Sequence, residues 1–137
     1  MKRKLAVLFA FVGAGDCIYV AVLFGMTLQQ PLFPLPGLYF LEIVLLGLVG
    51  LVSILQHRAE KTGWGQFAPW GIAGILLTYN ILGLWTIGLF LIPGTLSFLA
   101  AGMLQADGKQ QFGRGVGTFF WGAILQLGLM LALLNVG

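Results

Sequence analysis

The chain has very few charged residues. Asp, Glu, Lys and Arg make up 8% of its 137 residues, whereas soluble domains contain about 25%. So few charges leave too little polar surface to cover a water-exposed globule, and 59% of the residues are apolar. A lipid bilayer removes the need for that surface, because lipid solvates apolar side chains. The composition therefore predicts one membrane-embedded, all-α domain over residues 1–137.

Cysteine and histidine are almost absent. The only ones are Cys17 and His57, so no disulfide can form within the chain and no haem can be held between two of its own histidines. The sequence also lacks Cys-x-x-Cys, His-Glu-x-x-His, Gly-x-Ser-x-Gly and Walker motifs. These absences favour a protein that is not an enzyme and that binds no cofactor or metal. An enzyme acting on lipid is a third hypothesis, after the two that are given below.

Long apolar segments predict five membrane-spanning helices at residues 5–28, 37–55, 67–84, 87–104 and 115–136. A proline-rich extended loop is expected over 29–36, and polar loops over 56–65 and 107–114. A single helix over 67–104 would measure about 57 Å, but the hydrocarbon core is about 30 Å thick. This stretch is therefore expected to contain two spans, joined by a turn near 83–88. Pro93 and Gly94 should kink the fourth span.

The positions of the cations predict the orientation. Cytoplasmic loops of membrane proteins are enriched in Lys and Arg. With five spans and a cytoplasmic N-terminus, every cation is cytoplasmic and the C-terminus lies outside. No cluster is long enough to follow a nucleic-acid backbone, so nucleic acid is not an expected partner. The seven cations are Lys2, Arg3, Lys4, Arg58, Lys61, Lys109 and Arg114.

Each predicted span carries a polar side chain near the middle of the membrane. Ionisable groups there are costly and often functional, so one interpretation is a hydrated path for protons or a small cation, with Asp16 and Glu42 as the titrating groups. The alternative is that these side chains hydrogen-bond between helices and hold the bundle together. Asp16 is expected to face other helices, near Asn80 or Gln126. The candidate polar layer comprises Asp16, Glu42, Asn80, Thr95, Ser97 and Gln126.

Small and aromatic residues also follow a pattern. Gly13, Cys17, Ala21 and Gly25 form a small-residue ladder that would let helices approach closely. Gly113-x-x-x-Gly117 is not taken as a dimer motif, because it begins in a predicted charged loop. Three tryptophans near predicted interfaces are typical of an aromatic belt. These are Trp64, Trp70 and Trp85.

Two functional hypotheses follow, from different classes. The first is a non-catalytic membrane subunit or accessory protein, whose partners are lipids and either other membrane chains or copies of itself. The second is a small oligomeric transporter or channel that uses an intramembrane carboxylate. The cadence of residues 83–94 is typical of small prokaryotic membrane proteins, which favours a multi-pass protein of a prokaryotic cytoplasmic membrane.

Overall fold

The structure is a computed structural model that describes residues 1–28, 37–60 and 63–136, except for the side chains at 57–60 and 63–64. It contains five α-helices and, throughout these ranges, no strand, which confirms the all-α prediction. A short 3-10 helix, Gly88–Leu91, leads directly into the fourth α-helix. The helices are α1 (Lys2–Thr27), α2 (Gly37–Glu60), α3 (Gly63–Leu82), α4 (Ile92–Gln105) and α5 (Lys109–Val136).

Four helical segments are long and apolar enough to cross a membrane, and α3 is not among them. These segments are Lys2–Thr27, Gly37–Gln56, Gly88–Gln105 and Lys109–Val136. The predicted third span, 67–84, corresponds to α3. This helix carries Gln66, Thr78 and Asn80, which lower its mean hydropathy. Its polar side chains are accommodated because α3 is surrounded by α2, α4 and α5.

Helices α1 to α4 form a four-membered ring, with α5 outside it. α1 packs against α2 and α4, and α3 packs against the same two helices. α5 packs almost entirely against α3. As a result, little of α5 is buried, and many of its large apolar side chains are exposed.

Small residues allow α1 to approach its neighbours closely. A Cβ at Gly13 would lie 2.9 Å from the ring of Phe98, and a Cβ at Gly47 of α2 would lie 2.9 Å from the Cβ of Cys17. The buried thiol of Cys17 is therefore a packing group. The predicted ladder is confirmed except at Gly25, which has no neighbour within 4 Å of a Cβ built there. The buried face of α1 consists of Ala6, Ala10, Gly13, Ala14, Cys17, Val20 and Ala21.

Glycines also set the contact between α3 and α5, where the two backbones touch. A Cβ at Gly74 would overlap the carbonyl oxygen of Phe119, and a Cβ at Gly122 would overlap that of Gly71. The Thr78 hydroxyl donates a hydrogen bond to the Ala123 carbonyl across this contact, at 3.1 Å. Close backbone approach of this kind is how helices associate when their surroundings are apolar.

The turn between α3 and α4 lies where the glycines predicted it. The Gly83 amide donates to the Tyr79 carbonyl at 2.8 Å, and the Gly88 amide donates to the Gly83 carbonyl at 2.7 Å. A Cβ at Gly88 would overlap the Asn80 carbonyl oxygen, so the chain can reverse this tightly only with glycine there.

Several predicted boundaries differ from the structure. α2 continues to Glu60 and α3 begins at Gly63, so most of the predicted loop 56–65 is helical, and 61–62 lie outside the described residues. α5 begins at Lys109, directly after Gly108 with its positive φ of 110°, so the predicted loop 107–114 is short. The prediction assigns polar residues to loops, although a helix can extend beyond its apolar segment. The predicted loop 29–36 is outside the described residues.

The kink predicted at Pro93 is replaced by a change of helix type. The 3-10 helix ends at Leu91, and Pro93 occupies the first turn of α4. Proline is tolerated there because the first amides of a helix have no intrahelical acceptor. Pro93 therefore marks the start of an α-helix and does not interrupt one.

The belt assignment of Trp70 is wrong. Its side chain is only 2% exposed and packs on Gly102 of α4 and Gly115 of α5, where any Cβ would meet the indole within 2.8 Å. Its ring also meets Phe112 edge-on, with centroids 5.3 Å apart. Trp85, in contrast, is 94% exposed. The side chain of Trp64 lies outside the described residues.

Candidate functional site

Asp16 is tied to the beginning of α4. Its Oδ2 atom accepts a hydrogen bond from the Gly94 amide at 2.9 Å. Gly94 is the third residue of α4, and Pro93 before it has no amide hydrogen. Helix N-termini have unpaired amides and attract negative charge. Asp16 therefore acts as an N-cap supplied by a different helix.

Glycine is required at position 94 by this contact. A Cβ there would lie 2.7 Å from Oδ2 of Asp16. Asp16 itself is half-buried and Gly94 is buried. Asp16 faces another helix as predicted, but its partner is a backbone amide of α4 instead of Asn80 or Gln126.

Asn80 and Thr95 form the second polar contact, adjacent to the first along α4. The Asn80 Nδ2 atom donates to the Thr95 hydroxyl at 2.7 Å, and that hydroxyl donates to the Leu91 carbonyl at 3.0 Å. Both side chains are buried. This arrangement links α3 to α4 beside the residue that Asp16 caps.

Glu42 belongs to a separate cluster. The Tyr79 hydroxyl donates to Oε2 of Glu42 at 2.6 Å, which joins α3 to α2. This distance is at the short end of the range for O–H···O hydrogen bonds. The Gln126 side chain of α5 lies against the same hydroxyl, and the Tyr39 ring meets the Tyr79 ring edge-on at 6.2 Å.

The predicted layer is therefore two clusters on different faces of α3. Asp16, Asn80 and Thr95 lie between α1, α3 and α4, whereas Glu42 and Gln126 lie between α2, α3 and α5. No hydrogen bond between described residues joins the two clusters. Ser97 is buried but makes no hydrogen bond to another member of the layer. The polar groups thus form pairs between helices, with no continuous chain across the bundle.

Of the three buried polar atoms that have no hydrogen-bond partner among the described residues, two belong to these clusters. They are Oδ1 of Asn80 and Nε2 of Gln126, in side chains that are 7% and 4% exposed. Unpaired buried polar atoms cost about 1–3 kcal/mol each. Each could be satisfied by an internal water molecule, since globular proteins hold about one buried water per 27 residues.

A cleft separates α2 from α5, and α3 forms its floor. One cavity of about 320 Å³ has walls that include Tyr39, Tyr79 and Met130. A second, of about 520 Å³, has walls that include Leu46, Phe67 and Thr118. Both cavities are mainly apolar. The Glu42–Tyr79 bond lies next to the first cavity, through Tyr79 in its wall.

Sequence reasoning did not identify Tyr79 or Gly94 as members of the polar contacts. Tyr79 directly precedes Asn80, and a tyrosine inside an apolar helix needs a hydrogen-bond partner for its hydroxyl, which is a usable signal. Gly94 acts through its backbone, which residue type alone does not reveal. Within the described part of the chain, no three His, Cys, Asp or Glu side chains are grouped to hold a metal ion.

Comparison with known proteins gives no match: no family model, curated protein or solved structure resembles the chain significantly.

Proposed function

We propose that the chain is a five-span membrane protein that acts as a non-catalytic accessory subunit and associates with other membrane chains through α5. Five helices and an apolar exterior support the membrane placement. The clustering of all seven cations in three segments supports a cytoplasmic N-terminus and an external C-terminus. Reporter fusions after Gly137 and after Lys109 test this topology. A cytoplasmic signal from the Gly137 fusion would contradict it.

The pairing of the intramembrane polar groups is the observation that supports this function best. Asp16 caps α4, Asn80 bonds to Thr95, and Glu42 accepts from Tyr79. Groups engaged in this way hold helices together. A conduction pathway would need polar side chains that face a continuous passage, and these face one another. The bundle is therefore better suited to packing than to transport.

The exposed face of α5 is the surface we propose for partners. Gly113, Gly117 and Gly128 have nothing within 4 Å of a built Cβ, and Trp121 and Ile124 are exposed between them. Steps of three and four residues put these five positions on one helix face. Because Gly113 lies inside α5, the reason for dismissing the Gly113–Gly117 pair no longer applies. A helix from another chain can approach this face closely.

Substitution of this face tests the proposal. Gly117→Leu and Gly128→Leu should remove partner chains that co-purify in mild detergent, because the added side chains keep another helix at a distance. Gly15→Leu is the matched control, since Gly15 of α1 is equally exposed with no neighbour within 4 Å. Identical sets of co-purified chains for all variants would overturn the role of α5. If two differently tagged copies of the chain co-purified, the partner of this face would be a second copy of the chain and not a different protein.

The second candidate function is an oligomeric proton- or cation-coupled transporter. The Glu42–Tyr79 pair next to a cavity of about 320 Å³ favours it, because a carboxylate near open space could exchange a proton or bind a cation. Five helices are few for a pathway within one chain, so several copies would have to form it together. A flux measurement, described below, separates the two functions.

A further inference from the structure

A third cavity, of about 430 Å³, lies at the end of the bundle where α1 begins and where α2 and α4 end. One side of it is apolar, with walls formed by Val7 of α1, Ile54 of α2 and Leu104 of α4. Lys2, Arg3, Lys4 and Lys109 lie at this end, so in the proposed topology the cavity lies at the cytoplasmic surface of the membrane. It is separate from both polar clusters described above.

The other side of the cavity is polar and carries a net positive charge. Lys2 and Arg3 contribute two positive charges and Asp107 one negative charge, which leaves a net +1 from the wall side chains. Gln105 is also in the wall, and its backbone carbonyl accepts from the Gln66 side chain at 3.4 Å. Its side-chain Oε1 is buried and has no partner among the described residues. The surface of the cavity thus combines two cationic donors and one carboxylate, because the buried Oε1 of Gln105 presents almost no accessible surface to it.

We propose that this cavity binds the head group of an anionic phospholipid whose head group carries hydroxyls, such as phosphatidylglycerol. The phosphate would accept hydrogen bonds from Lys2 and Arg3. The ammonium group of Lys2 is a compact positive charge, and the planar guanidinium of Arg3 can donate two parallel hydrogen bonds to phosphate oxygens. A head-group hydroxyl would donate to the exposed carboxylate of Asp107. The acyl chain would follow Val7, Ile54 and Leu104 into the membrane.

Charge and hydrogen bonding together select this class of lipid. A phosphodiester with a neutral head group is an anion, which the cationic groups of the wall attract. Phosphatidylcholine has no net charge and no hydroxyl donor, so it satisfies neither requirement. Basic pockets between helices at the cytoplasmic side are known sites for anionic head groups. The inference depends on the membrane placement proposed above and is independent of any partner of α5.

Native mass spectrometry of the purified protein, titrated in detergent with dioleoyl phosphatidylglycerol or dioleoyl phosphatidylcholine, tests the proposal. We expect phosphatidylglycerol to bind more tightly, and the Lys2→Gln/Arg3→Gln variant to lose about fivefold in affinity for each charge removed. Lys109→Gln/Arg114→Gln is the matched control, because it removes the same charge from residues that do not line the cavity. Equal losses in both double variants would show general attraction to a basic surface and would overturn a specific site.

Asp107→Ala tests the hydroxyl contact separately. It removes the acceptor and one negative charge, and the change of charge favours both anionic lipids. We therefore expect the affinity for phosphatidylglycerol to fall relative to that for dioleoyl phosphatidic acid, which has no head-group hydroxyl beyond its phosphate. An unchanged ratio of the two affinities would refute the role of Asp107. Soluble glycerol phosphate should not compete, because it lacks the acyl chain that Val7 and Leu104 would hold. Full competition would mean that the site serves a soluble phosphate compound, and the lipid proposal would be wrong. Far-UV circular dichroism confirms that each variant is folded.

Discussion

Replacement of Asp16 by alanine or asparagine tests whether this carboxylate is a structural cap. Both substitutions remove the ionisable group, so the cost of burying a charge changes equally in both. They differ in one respect, because asparagine keeps an oxygen that can accept the Gly94 amide and alanine does not. The difference in stability between the two variants therefore reports on the 2.9 Å hydrogen bond.

The size of this difference follows from the geometry. Loss of an N-cap side chain costs about 1 kcal/mol, within a range of about 0.5–2 kcal/mol. An amide hydrogen left unpaired in a buried position costs about 1–3 kcal/mol, and Gly94 is buried. These values describe the same lost contact and are not added. We expect the free energy of unfolding of Asp16→Ala to be about 1–2 kcal/mol below that of Asp16→Asn. Asp16→Asn should be close to the natural protein or more stable, because it removes a buried ionisable group.

Reversible unfolding in mixed detergent micelles, titrated with sodium dodecyl sulfate and followed by circular dichroism, measures these differences. A double-mutant cycle with Gly94→Ala adds a second check. That substitution should be destabilising in the natural protein, because the new Cβ would lie 2.7 Å from Oδ2 of Asp16. It should be less so in the Asp16→Ala background. Equal stability of Asp16→Ala and Asp16→Asn, together with no coupling to Gly94, would refute the capping role.

Three further predictions concern the helix contacts and the choice between the two functions. Gly74→Ala should destabilise the protein by about 1–3 kcal/mol in the same assay, because its Cβ would overlap the Phe119 carbonyl. The control Gly128→Ala, at an open position of α5, should have little effect. Equal stability of the two variants would contradict the packing described. Thr95→Val should lower the free energy of unfolding by about 1–3 kcal/mol, because it leaves Nδ2 of Asn80 unpaired. The control Thr118→Val loses only a hydrogen bond to the Arg114 carbonyl of its own helix, so it should lower that free energy by less than about 0.5 kcal/mol. The purified protein in liposomes should show no proton or cation flux. Strong flux that is lost in Glu42→Gln or in Asp16→Asn would overturn the accessory-subunit proposal in favour of the transporter.

The sequence predicts the number of helices and the turn between α3 and α4 because those features depend on apolar length and on glycine. The apolar length of 67–104 requires two helices, and the glycines at 83 and 88 permit the reversal. Helix ends were predicted less well, because hydropathy reports where lipid can solvate a helix and not where backbone hydrogen bonding ends. Residues 109–114 are polar and nevertheless helical.

The sequence does not predict which residues of the candidate site pair with one another. The sequence predicts a polar residue in each predicted span, and these residues are buried or half-buried in the structure, but their partners depend on the order of helices around α3. Asn80 and Tyr79 are adjacent in sequence and point to different neighbours, Thr95 and Glu42. The burial of Trp70 has a similar cause. Its indole occupies space created by Gly102 and Gly115, which are distant in sequence, so its proximity to a helix end was a misleading signal.

The attachment of α5 mainly to α3 has a consequence for biosynthesis. Helices α1 to α4 close on one another without α5, so the ring can assemble before residues 109–136 leave the ribosome. α5 then arrives last, at a surface of α3 that already presents Gly71 and Gly74. We expect a chain that ends at Gly108 to insert and resist proteolysis as the ring does in the full chain, and rapid degradation of that chain in the membrane would show that α5 is needed earlier. α5 would thus pack onto a ring of helices that has already assembled, and the time at which it is synthesised would decide whether its open face meets lipid or another chain.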